Sequence, residues 1–115
     1  ENVSTCTEAQ YGVLASLVHF GPMSPGELAE RERVQAPTMT RTVASLEDLG
    51  YVIRTKHATD RRQVVVTVTD AGREVVEETK RWRNAWLDEN LAGLTAEERE
   101  TVRRAAEIIL RVTEL

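Results

Sequence analysis

The apolar residues of this chain change their period twice, and that change decides what it can fold into. From Thr7 to Leu49 they recur in steps of three and four, as on one face of a helix. Between Tyr51 and Thr69 the step becomes two, with Val64, Val66 and Val68 alternating on one face of a strand, and from Asp70 onward the helical step returns. The expected fold is therefore mainly α with a small antiparallel β-hairpin (α+β). At 115 residues about two thirds of the unfolded surface can be buried, which suits one domain spanning residues 1–115.

The helix boundaries are written in capping chemistry. Thr7-Glu8-Ala9-Gln10 is a capping box, so a helix begins at Glu8, and Tyr11, Leu14, Ala15 and Val18 form its apolar stripe up to Gly21-Pro22. Ser24-Pro25-Gly26-Glu27 repeats the signal and starts a short helix running to about Arg33. Its few apolar residues, Leu28 and Ala29 with Val34 beyond, make it dependent on its neighbours. Ala36-Pro37 starts a third helix that Gly50 ends. On a helical wheel Met39, Val43 and Leu46 fall within about 60°, a core stripe. Thr38, Arg41 and Ser45 form a second row about 130° away, short and hydrogen-bonding rather than a mixture of Glu and Lys.

Two strands, Tyr51–Lys56 and Val64–Thr69, follow, joined by the seven residues His57 to Gln63, too many for a tight turn. Thr69 and Asp70 then cap a long helix in which Val75, Thr79, Trp82 and Trp86 step like a seam. The capping box Thr95-Ala96-Glu97-Glu98 opens a last helix with a second seam, Val102, Ala105, Ile109 and Val112. Two seams on so small a chain are expected to be buried against a second subunit rather than against each other.

The net charge of −4 hides an uneven distribution. Residues 1–30 carry no Lys or Arg, whereas residues 31–73 carry eight bases against five acids, a net of +3 that includes Arg41, Arg54, Lys56, Arg61 and Arg62. Contact with phosphates is expected in this middle segment.

The order helix, helix, helix, hairpin, helix, helix is that of a winged helix-turn-helix followed by dimerisation helices. Over roughly residues 8–115 the chain resembles the MarR family of bacterial transcriptional regulators. The matching residues, in order and spacing, are Leu28-Ala29, Pro37-Thr38-Met39-Thr40-Arg41, Leu46-Glu47 with Leu49-Gly50-Tyr51-Val52 and Arg54, Asp60-x-Arg62, and Val68-Thr69-x-x-Gly72. The family has a further helix before this segment, whereas only six residues precede Thr7 here.

The resemblance implies a winged helix-turn-helix core over 8–69 and dimerisation helices over 70–115. It implies a homodimeric, ligand-responsive repressor, cytoplasmic, on a pseudo-palindromic duplex site, with the third helix (37–49) in the major groove and the wing (57–63) in the minor groove. Pro37, Thr38, Thr40, Arg41 and Ser45 would form the groove-facing surface, Arg41 matching guanine O6 and N7. Asp60 would hold the wing for Arg62 to enter the minor groove, with Arg54, Lys56 and Arg61 on phosphates. Val75, Thr79, Trp82, Trp86, Val102, Ala105, Ile109 and Val112 would form the dimer surface. A small aromatic or amphipathic effector would complete the regulation.

Each reading has a plainer alternative. For Arg41 the alternative is a solvated side chain or an ion pair with Glu47 or Asp48, and for the wing an ordinary polar hairpin tip. Cys6, with nothing basic near it in sequence, reads as an incidental thiol, and His19 and His57 as structural or solvated histidines too few for a metal site. Trp82 and Trp86 read as packing before they read as an effector pocket. No catalytic constellation, phosphate loop or membrane span is present in the sequence, so neither an enzyme, a metal, a cofactor nor a membrane is expected. A winged-helix module that binds a protein instead of DNA is the alternative function.

Overall fold

A computed structural model of the chain describes residues 6–60 and 62–113. The elements are α1 (Glu8–Phe20), α2 (Pro25–Glu32), α3 (Ala36–Asp48), β1 (Val52–Lys56), β2 (Val64–Val68), α4 (Asp70–Asn90) and α5 (Ala96–Thr113). They divide into two compact units whose boundary falls inside α4, between Arg81 and Trp82.

The caps sit where the sequence puts them. Thr7 Oγ1 accepts from the amide of Gln10 while Gln10 Oε1 accepts from the amide of Thr7, and Ser24 with Glu27 and Thr95 with Glu98 make the same reciprocal pair. Each box satisfies two amides that a helix start leaves open, typically worth about 1 kcal/mol. The turn from α2 to α3 runs through Arg33, a left-handed residue at φ 59°, whose neighbour Val34 returns its amide to the Ala29 carbonyl.

In the first unit the apolar stripes converge on one core. Val13, Leu14 and Leu17 of α1, Leu28 and Ala29 of α2, and Met39, Val43 and Leu46 of α3 are buried together with Val52, Val66 and Val68 of the hairpin and Val76 of α4. Burying a side chain such as Leu14, Leu28 or Leu46 stabilises the fold by about 1.5–3 kcal/mol each. Antiparallel register pairs Val52 with Val68, Arg54 with Val66 and Lys56 with Val64. Met23, in the α1–α2 connection, adds a single bridge on the other edge of β2, exchanging both backbone hydrogen bonds with Val66 (3.2 and 2.8 Å). The hairpin is thereby tied to the three helices and not left to stand alone.

The start of α4 locks onto the hairpin through Thr69 and Gly72. The Thr69 hydroxyl donates to the Gly50 carbonyl (2.7 Å) and accepts from the Gly72 amide (3.1 Å). A Cβ at Gly72 would lie 2.7 Å from Val68 Cγ2 and closer still to the Tyr51 carbonyl oxygen, so only glycine lets helix and hairpin approach this closely.

The second unit is built differently. All of α5 is exposed, and its polar face satisfies itself, Arg103 bridging Glu100 and Glu107 while Arg104 reaches Glu100. The Arg103 guanidinium holds the Glu100 carboxyl below the ordinary carboxylate range. The apolar face has no such answer: Trp82, Trp86, Val102, Ile109 and Val112 are all exposed, Ile109 at 60%. Among the described residues no helix is long and apolar enough to cross a membrane.

Candidate nucleic-acid interface

Of the residues expected to read DNA, α3 carries five. Pro37 occupies the first turn, where a missing amide hydrogen costs nothing. Thr38, Thr40 and Arg41 are exposed along the helix. Thr40 returns its hydroxyl to the Ala36 carbonyl (3.0 Å), which spends its proton and leaves the oxygen able to accept. Arg41 makes one long contact, Nη2 to Thr38 Oγ1 at 3.4 Å, and among the described residues it meets no carboxylate. Among the described residues the alternative ion pair with Glu47 or Asp48 is not formed, and Glu47 pairs with Arg54 instead.

Ser45 departs from the other four. The helical wheel puts it in one row with Thr38 and Arg41, yet its hydroxyl is half-buried, accepting from Gln10 Nε2 (2.9 Å) and donating to the Thr42 carbonyl (2.8 Å). Gln10 thus caps α1 with its carbonyl and grips α3 with its amide. A wheel of one helix cannot see a partner 35 residues away, and this is why the bond is invisible in the sequence.

The hairpin presents the remaining cations. Arg54 pairs with Glu47 of α3 through Nε (3.0 Å) and Nη2 (2.9 Å), so part of the positive excess of the middle segment is matched within the fold. Lys56 ends β1, exposed. Arg61 lies outside the described residues. Arg62 stands at the wing with its side chain 91% exposed, and Asp60 Oδ1 accepts both from its backbone amide (3.1 Å) and from its Nε (3.3 Å). A guanidinium held at its Nε edge keeps its outer fork for a ligand, and a carboxylate so placed orients the arginine without burying it.

The residues expected to meet a second subunit fall on both sides of the unit boundary. Val75 is half-buried against the core of the first unit, and Thr79 returns its hydroxyl to the Val75 carbonyl (2.8 Å). Trp82 and Trp86 are about half exposed, and Val102, Ala105, Ile109 and Val112 lie exposed along α5. Val76, the buried apolar residue of α4, is one position off the seam and goes unmarked by it.

Set beside known proteins, residues 6–64 match the model of the MarR family. The chain is 45% identical over 106 residues to an HTH-type transcriptional regulator of Mycobacterium tuberculosis, an alignment covering 92% of this chain and 74% of that one. It is 37% identical over 92 residues to the HTH-type transcriptional repressor MdtR of Bacillus subtilis, covering 80% and 59%. Among solved structures it resembles BpsR of Bordetella bronchiseptica, whose DNA binding is regulated by 6-hydroxynicotinic acid, with a TM-score of 0.67, 25% identity, and coverage of 92% of this chain and 76% of that one. Five helices with a two-stranded antiparallel hairpin agree with these likenesses, and the chain belongs to the MarR family of HTH-type transcriptional regulators.

Proposed function

We propose that this regulator is a ligand-responsive repressor that binds a pseudo-palindromic duplex site as a homodimer, α3 entering the major groove and the wing the minor groove. The observation that carries the reading is Arg62, a cation almost wholly in solvent yet held by the carboxylate of its own loop. Such an arginine suits a narrow minor groove, where negative potential is concentrated and base edges carry little information. On α3, Arg41 supplies an exposed fork, held only by one long contact to Thr38, for guanine, and Thr38 and Thr40 supply short polar and methyl contacts. Lys56 and Arg61 add salt-dependent phosphate contacts; Arg54, matched by Glu47, contributes less than its charge implies. Ser45 serves by holding α3 against α1.

The uncovered stripe of Trp82, Trp86, Val102, Ile109 and Val112 supports a second copy as partner. Two copies present two recognition helices, one helical turn apart on the duplex. The repressor role follows the name of the MdtR relative. Control by a small aromatic or amphipathic effector follows the regulation of BpsR by 6-hydroxynicotinic acid. An effector that favours a helix spacing unsuited to adjacent grooves lowers DNA affinity by its differential binding to the two states.

Fluorescence anisotropy on duplexes enriched from random DNA, repeated across a salt series, tests the DNA reading. Specific binding that falls with salt is expected, and a folded protein that binds no duplex at low salt contradicts it. Isothermal titration of candidate effectors with and without DNA tests the regulation; equal affinity in both conditions excludes the effectors tried.

A further inference from the structure

The wing loop holds a histidine that neither the seam, the core nor the groove-facing row of α3 uses. His57 follows β1 directly and is half-buried. Its backbone amide donates to the Gln63 carbonyl (2.8 Å), closing the loop at its neck. Its ring faces the other way round the loop: Nδ1 lies 3.2 Å from the amide nitrogens of both Thr59 and Asp60 and 3.1 Å from the Thr59 hydroxyl. Backbone amides only donate, so in this geometry Nδ1 is the acceptor, which assigns the ring proton to Nε2.

A chain of dependence runs from this ring to the cation at the tip. Asp60, whose amide is held by His57, is the residue whose Oδ1 orients Arg62 from two directions, and the Asp60 carbonyl accepts from the Gln63 amide (3.0 Å) to complete the turn. Nδ1 of a histidine stands the same number of bonds from Cα as Oδ1 of an asparagine. The ring therefore does what an Asn or Asp does in an Asx turn, gathering the amides two and three residues on.

We infer that His57 is the positioning residue of the wing, its Nδ1 holding the turn that presents Asp60 and, through it, the Arg62 guanidinium. The inference rests on the proposed contact between the wing and DNA, and its test separates the two. In the free, full chain, long-range ring ¹⁵N–¹H NMR is expected to find the proton on Nε2, and hydrogen exchange is expected to be slowed at the Thr59 and Asp60 amides. On the selected duplex, His57→Ala is expected to lose about tenfold in affinity, the worth of two modest hydrogen bonds. His57→Asn, which restores an acceptor at the same place, is expected to stay within about twofold of the parent. His57→Gln, whose oxygen stands where Nε2 does, is expected to fall with His57→Ala. A ring protonated at Nδ1, or Asn and Gln variants that bind alike, overturns the assignment. So does an unchanged His57→Ala affinity when Arg62→Ala weakens binding. If Arg62→Ala itself leaves binding unchanged, the wing contact with DNA fails instead, and ring tautomer and amide protection alone decide whether His57 positions the loop.

Discussion

Leu14 in α1 and Ile109 in α5 lie on apolar stripes of the same helical spacing, yet Leu14 is 0% exposed and Ile109 60%. The first unit answers its own pattern: α1, α2, α3, the hairpin and Val76 of α4 supply surfaces to one another. The second unit answers only its charges, through Arg103 and its glutamates, and leaves its aromatic and aliphatic faces open. Periodicity records that a face is to be buried, and not whose surface will cover it. The contrast leaves the α5 stripe and the two tryptophans as the surface on which the proposed second copy would sit.

The comparison breaks or holds most visibly in a pair of truncations. Leu14→Ala is expected to cost about 2–5 kcal/mol of folding stability in denaturant titration, by the same amount at every protein concentration. Ile109→Ala is expected instead to weaken self-association in sedimentation, with a stability cost that shrinks on dilution. Equal, concentration-independent losses would mean that the two regions are alike.

The same distinction between matched and unmatched groups applies to charge. Arg41→Ala is expected to cost about 1–3 kcal/mol of DNA affinity and to relax preference at one base pair of each half-site. Arg54→Ala, by contrast, removes a cation that Glu47 already occupies, and its effect should be smaller and uniform across sequences. Anisotropy on the selected duplex and on single-base variants separates them; a loss of base preference with Arg54→Ala would reverse their roles.

The smallest effect concerns a hydroxyl. Ser45→Ala leaves Gln10 Nε2 without its partner and should cost about 1 kcal/mol of folding stability in thermal denaturation. Preference at every base should be unaltered, since the hydroxyl is spent between α1 and α3. Altered preference at a single base pair would return Ser45 to the groove.

Much of the fold is legible locally because its signals are local. Thr7, Ser24 and Thr95 announce their helices through partners three residues on, and Met39, Val43 and Leu46 declare the buried side of α3 by their angle alone. What the sequence leaves dark involves pairings across the chain or within a loop. Met23 forms its bridge to Val66 as a single residue, too short to show a period. The Ser45–Gln10 and Arg54–Glu47 bonds join separate elements, so a surface drawn from one helix or one strand miscounts which groups are free. His57 fits neither the helical nor the strand pattern, and its bonds to the Thr59 and Asp60 amides become visible only once the loop's amides have directions. For the candidate site, residue types and rows could be read in advance; which members are engaged elsewhere could not.

The central claim is that the open stripe of the second unit is covered by another copy, which delivers two recognition helices to one duplex. Sedimentation of the chain on the selected duplex, with Ile109→Glu run beside it, tests this most directly. Two chains per duplex are expected, with the Ile109→Glu chain folded but monomeric and unable to occupy the full site. A single chain bound per full site, or an Ile109→Glu chain that still loads in pairs with undiminished affinity, would contradict the account.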